Sequence, residues 1–240
     1  VYTFIGREVR KVEKIMKKVL GMFVVSSVTT AVAMADIYTD PIGDIATGNA
    51  NLDITSFEIT DDGDDLFMTI EVADLSDDWG NYMIFLDIPG MENINPGFSG
   101  SGDNDNPWGR DVSGLAGTDF FLGGGSWGNE TYRYWGSGGW ENSPSLWVSS
   151  FFDSSANTMT FVFNDLVTDL PIYGIEGINF EVGTTGGNWS DPAIDLLNGT
   201  GGNWGGSSEG AWEYYQFSTV PAPSALALLA VAGLVRRRRH

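Results

Sequence analysis

The side chains best suited to chemistry in this sequence fall into an aromatic set and an acidic set. Trp108, Trp127 and Trp140 stand in Gly-, Ser- or Pro-containing loops, Trp108 within Asn106-Pro107-Trp108-Gly109-Arg110-Asp111, and Trp189 and Trp204 share this setting. Flat indoles on exposed loops stack on the apolar faces of sugar rings, while a neighbouring Asp, Asn or Arg110 hydrogen-bonds the hydroxyls. The competing reading is that each loop folds its indole back onto the sheet beneath it. Trp135 and Trp147 lie in strand-like segments and are expected in the core.

In the acidic set, Asp103-Asn104-Asp105-Asn106, with Asp111 close behind, places oxygens at alternate positions, as a calcium-binding loop would. Helices do not flank it and the Glu of an EF-hand is missing, so a solvated loop explains the same residues. Asp61-Asp62-Gly63-Asp64-Asp65 offers a similar choice and also reads as a hairpin turn. Calcium is the one cofactor this composition suggests.

Other chemistry is excluded by residue type. There is no cysteine, hence no disulfide and no thiolate metal site. Residues 36–219 hold no lysine and no histidine, the single histidine being His240, so nucleophilic or general-base catalysis by those groups is out. Two facing carboxylates are able to hydrolyse a glycoside, but no local motif singles out a pair, and no catalytic residue is assigned.

Charge is divided sharply along the chain. Of the 32 acidic residues only Glu8 and Glu13 precede residue 36, which leaves 30 against two cations, Arg110 and Arg133, a formal charge of −28 for residues 36–219. Such a surface repels nucleic acid and anionic lipid and suits a saline or calcium-containing exterior.

The elements that must position these side chains read as strands. Leu66, Met68, Ile70 and Val72 alternate on one face; Tyr82, Ile84, Leu86 and Ile88 repeat the pattern, as do Met159, Phe161 and Phe163, and Ile178, Phe180 and Val182. Weaker segments are 54–60, 119–122, 131–135, 146–152 and 212–217. About nine short strands joined by Asp/Gly/Asn turns predict an all-β fold, a two-sheet antiparallel sandwich of jelly-roll or immunoglobulin-like form. One short helix is expected over 191–197, with Asp191 as N-cap and Pro192 at its first position.

Asp40-Pro41-Ile42-Gly43-Asp44, then Asn51-Leu52-Asp53-Ile54, a Gly-turn hairpin and the run from Trp79 to Asp87 resemble the start of the family 9 carbohydrate-binding-module and DOMON-like sandwiches. The resemblance implies the sandwich fold. It spans residues 36–90 and does not assign sugar-contacting aromatics to particular positions.

The ends are read separately. Residues 1–15 precede a better start at Met16 and are expected to be an over-extended gene start. Met16-Lys17-Lys18, the apolar stretch from Val19 to Val32 and Ala33-Met34-Ala35 give the charged, greasy, small-x-small order of a signal peptide over 16–35, cut by signal peptidase after Ala35. At the other end Val220-Pro221-Ala222-Pro223, an apolar run to Val235 and Arg236, Arg237, Arg238 and Arg239 resemble a PEP-CTERM sorting tail over 220–240, with Ala222 in place of the motif's Glu. That resemblance implies processing by an exosortase-like membrane enzyme.

Twelve helical residues reach about 18 Å, short of a hydrocarbon core of about 30 Å, so the tail is expected to be a short membrane helix in transient association, its arginines on the cytoplasmic side. Three functions fit: an exported surface or matrix protein that binds polysaccharide, a calcium-bridged structural component, or a carboxylate-based polysaccharide-active enzyme.

Overall fold

The structure is a computed structural model that describes residues 35–94, 99–143, 147–188 and 191–218. The signal-peptide segment up to Met34, Ala33 included, and the sorting tail from Val220 with its four arginines lie outside the described residues, as does Trp189; Ala35 is the first described residue.

The described chain is built from antiparallel sheets. In chain order the strands are β1 (Asp36–Thr39), β2 (Ile54–Asp61), β3 (Leu66–Val72), β4 (Asn81–Asp87), β5 (Val112–Ser113), β6 (Phe120–Gly125), β7 (Gly128–Trp135), β8 (Gly139–Ser143), β9 (Val148–Asp153), β10 (Thr158–Phe163), β11 (Gly177–Thr185), β12 (Asp195–Leu196), β13 (Ser208–Glu209) and β14 (Glu213–Gln216). One sheet runs β1-β2-β3-β10-β9; the other runs β12-β11-β4-β6-β7-β8, with β14 also paired to β11. The four-residue helices α1 (Met91–Ile94) and α2 (Leu166–Asp169) are the α-helices among the described residues, and no described helix is long and apolar enough to cross a membrane.

The two sheets pack face to face over the alternating positions. Phe57 and Ile59 of β2, Leu66, Met68 and Ile70 of β3, and Met159 and Phe161 of β10 are buried against Tyr82, Ile84 and Leu86 of β4, Leu122 of β6, and Ile178, Phe180 and Val182 of β11. Alternation puts every second side chain on one face, so each of these strands contributes a row to one core.

Asp61 closes the sandwich at one corner. It is buried, and its carboxylate accepts hydrogen bonds from the Tyr215 hydroxyl (2.7 Å), the Ser218 N–H (2.8 Å) and the Ser218 hydroxyl, joining β2 to the segment around β14.

Strand β4 is buried on both faces, and this feature creates the candidate site. Its outward residues Met83 and Phe85, with Phe121 of β6, lie beneath two excursions of chain, residues 99–119 and 191–212, which contribute Val112, Leu115, Ala193 and Leu196 to a second apolar cluster. The excursions are stitched together by the short parallel pair β5–β13 and by Ser208, whose hydroxyl donates to Asp111 O (2.9 Å).

The helix expected over 191–197 is not formed. That segment runs extended beside β11: Ile194 N–H donates to Thr184 O (2.7 Å) and Leu197 N–H to Val182 O (3.0 Å), and Asp195–Leu196 is β12. Ala193, Ile194, Leu196 and Leu197 are all buried. A short segment apolar all round gains more by pairing its backbone with a buried sheet than by turning a polar face it does not have. Trp147 also departs from expectation. It precedes β9 and is 36% exposed rather than part of the core.

Candidate functional site

The hairpin joining β6 to β7 pairs Gly125 with Gly128 and leaves Ser126 and Trp127 at its tip. A two-residue connection holds the tip close to the sheet end, so Trp127 projects there, 53% exposed, its Nε1 donating to Asn81 Oδ1 (3.0 Å). Glu130 and Tyr132 follow at alternate positions of β7 and are cross-strand from Gly123 and Phe121 of β6.

Trp108 comes from the 99–119 excursion and lies on this face. Its ring stands edge-on to Phe121 (5.1 Å between centroids) and tilted to Trp127 (6.2 Å). Room for it is made by Gly123, where any β-carbon would collide with the indole. Glu130 Oε2 accepts hydrogen bonds from both Trp108 Nε1 (3.1 Å) and the Tyr132 hydroxyl (2.7 Å). Burial, with Glu130 beside it, pushes the Tyr132 phenol up to about 12, so it stays a donor at neutral pH.

These residues surround a cavity of about 590 Å³, lined by Asn81, Trp108, Arg110, Trp127, Glu130 and Tyr132, with Pro107 and Gly187 at its margin. Trp108, Arg110 and Trp127, singled out by sequence, therefore meet in one place. Trp140 does not line it: its ring packs on Phe121 and Tyr134, and its Nε1 donates to Asp105 Oδ1 (3.2 Å).

Arg110 is held from its own backbone. Asn106 Oδ1 accepts its N–H (2.9 Å) and Asn106 Nδ2 donates to its carbonyl (2.8 Å), a reciprocal clamp that fixes the loop. The guanidinium lies 5.7 Å from the Trp108 ring centre. Burial lowers its pKa and the charge of Asp191 works the other way.

Two further tryptophans extend the aromatic surface. Trp79 and Trp204 are each 44% exposed with ring centres 6.3 Å apart. Asn81 bridges the two regions, accepting from Trp127 and donating through Nδ2 to Gly186 O (3.0 Å), while Gly186 touches the Trp204 ring. Sequence reasoning left Trp79 out because it stands just ahead of a strand and lacks the Gly-rich setting on both sides; its aromatic neighbour, Trp204, comes from an excursion more than a hundred residues later.

The three proposed calcium ligands serve the loop itself. Asp103 Oδ1 accepts from Asn104 N–H (3.1 Å) and Gly114 N–H (2.6 Å), Asp105 from Trp140, and Asp111 Oδ1 from Asn104 Nδ2 (3.2 Å). Among the described residues, trios of acids with oxygens within 4.8 Å of one another are instead Asp40–Asp44–Asp195 and Asp64–Asp65–Asp165. Hard oxygens so grouped are the donor type a divalent cation takes. The second trio draws two members from the acidic turn noted in the sequence and its third from a residue a hundred positions on.

In the first trio, Asp195 is buried and accepts Ile54 N–H (2.7 Å) and Leu196 N–H (3.0 Å). Burial lifts Asp195 to about 7 and Asp40 to about 6, with the neighbouring acids adding to both shifts.

Compared with known proteins, the chain matches no protein-family model and no curated protein.

Proposed function

We propose that this is an exported, non-catalytic surface or matrix protein whose β-sandwich binds polysaccharide at the Trp108–Trp127 cavity. The observation that carries the reading is the convergence of two indoles, a guanidinium, a carboxylate, a phenol and an amide on one cavity of about 590 Å³, a size that takes one or two sugar rings. Trp127 offers an exposed ring face for stacking, and Asn81, Glu130 and Arg110 offer donors and acceptors for hydroxyls. The Trp79–Trp204 pair provides a further surface along which a longer chain would run. Among the described residues a single carboxylate, Glu130, lines the cavity, whereas glycoside hydrolysis uses two facing ones.

Export and sorting belong to the same proposal and rest on the sequence: the signal-peptide order over 16–35, removal by signal peptidase, and the PEP-CTERM-like tail processed by an exosortase-like enzyme after transient membrane association. The jelly-roll or immunoglobulin-like form and the likeness to family 9 modules complete it. Polysaccharide binding is tested by presenting the purified protein to an array of envelope and matrix glycans, where retention on at least one glycan is expected and loss of that retention in Trp127→Ala follows. Silence across the array sinks the sugar reading. N-terminal sequencing of protein recovered from the cell exterior is expected to begin at Asp36.

A further inference from the structure

Arg110 stands out among the charged residues of this domain. The only other cation in residues 36–219, Arg133, is matched: its Nη2 lies 2.9 Å from Glu141 Oε2 and its guanidinium lies 4.4 Å from the Trp135 ring centre. Arg110 has 30 carboxylates available in the same domain and forms an ion pair with none of them among the described residues. Its side chain is only 7% exposed, yet neither Nε nor Nη1 has a hydrogen-bond partner among the described residues. Asp191 lends it charge without forming an ion pair, and burying a guanidinium whose N–H donors are left unmatched is unfavourable. A protein with so many acids has no shortage of partners to offset that cost.

The unpaired group lines the cavity, and the other charged member there, Glu130, is already occupied on Oε2 by Trp108 and Tyr132. The cavity is thus lined by Arg110, whose unmatched Nε and Nη1 lie shielded behind its wall, by Glu130 and by the exposed ring of Trp127. A ring that satisfies all three carries an anionic oxygen group for the guanidinium, hydroxyls that donate to Glu130, and an apolar face for the indole. Charge-assisted hydrogen bonds of this kind are about twice as strong as neutral ones.

We infer that the cavity selects acidic sugars, with the carboxylate or sulfate of the ring placed on Arg110. This inference rests on the polysaccharide-binding reading above and narrows it to a ligand class. The long-range field of a domain with charge −28 opposes any polyanion, but at physiological ionic strength it is screened within about 8 Å. Selection therefore comes from the buried contact and not from steering.

The test is a titration of the purified protein, followed by Trp fluorescence at physiological salt, with a polyuronate, its methyl ester, a sulfated polysaccharide and its desulfated form. At least one acidic form is expected to bind about tenfold or more tightly than its neutral counterpart, and which of the two does so distinguishes a carboxylate from a sulfate. In Arg110→Gln the ratio of acidic to neutral binding is expected to fall to about one, whatever the variant does to the binding of the neutral forms. Equal binding of acidic and neutral forms overturns the acidic-sugar inference and leaves the polysaccharide reading standing. A preference that survives in Arg110→Gln overturns the assignment to Arg110, and no binding by any of the four overturns both readings. The comparison of acid with ester uses the unaltered protein, so the outcome does not depend on the variant folding.

Discussion

A β-carbon added at Gly123 would lie 2.1 Å from Cζ2 of the Trp108 indole, so the place of Trp108 on β6 requires glycine at 123. Gly123→Ala is expected to push the ring off the sheet and cost about 1–3 kcal/mol of stability, the range of an overpacked core. Urea denaturation measures the loss, and near-UV circular dichroism reports the displaced indole. A silent substitution at this position means that Trp108 does not lie on β6 as described.

Trp127 and Trp140 are predicted to separate function from packing. Trp127 is exposed at a hairpin tip, so Trp127→Ala should leave the melting temperature nearly unchanged and weaken glycan binding by about tenfold or more, stacking being worth a kcal/mol or two per ring. Trp140 packs on Phe121 and Tyr134 outside the cavity lining, so Trp140→Ala should lower stability by about 2–4 kcal/mol. Reversed outcomes would put the binding surface on the other tryptophan.

Arg110→Met is predicted to leave the melting temperature unchanged or to raise it. Removing a buried, unpaired cation relieves a desolvation penalty, whereas breaking a paired one costs about 3–5 kcal/mol. Thermal denaturation of the variant decides the matter, and a loss of the larger size would show that Arg110 has a structural partner.

Acidification from pH 8 to pH 5 is predicted to stabilise the protein. Burial lifts Asp119, Glu181 and Asp195 to about 7 and Asp40 to about 6. A carboxyl whose folded pKa lies above its unfolded one contributes stability that is fully present below the unfolded value and is lost as pH rises through the folded one. For these four groups the loss accrues from about pH 4, the ordinary carboxylate value, up to the folded value of about 6 or 7, and levels off above it. Asp153 and Glu141 shift the opposite way, held low by Ser155 and Arg133 respectively, and matter only below the ordinary carboxylate range. Melting temperature against pH checks the sign, and Asp195→Asn should flatten the slope. Higher stability at pH 8 than at pH 5 would contradict these assignments.

Much of the sandwich was legible because its signal is local. Leu66–Val72 and Thr158–Phe163 alternate cleanly, face one core and pair in one register, Phe161 opposite Met68. The segment 191–197 misled because an N-cap and an N1 proline are cues within one turn, while the partner that overrode them, β11, supplies acceptors from Thr184 and Val182. The cavity was half legible. Gly-flanked Trp108 and Trp127, with Arg110, announce exposed polar-aromatic chemistry, but the contributions of Glu130, Tyr132 and Asn81 depend on which face of β7 and which end of β4 the excursion covers. The acidic trios were hidden for the same reason, since Asp40 and Asp195 meet only once β12 docks against β11.

The most direct test of the central claim is a fluorescence titration of the purified protein with soluble extracellular polysaccharides, run in parallel with Trp127→Ala. A saturable change in indole emission for at least one polysaccharide, lost in the variant while its melting temperature holds, is the predicted result. No saturable change with any polysaccharide, or an identical response in Trp127→Ala, would contradict binding at the Trp108–Trp127 cavity.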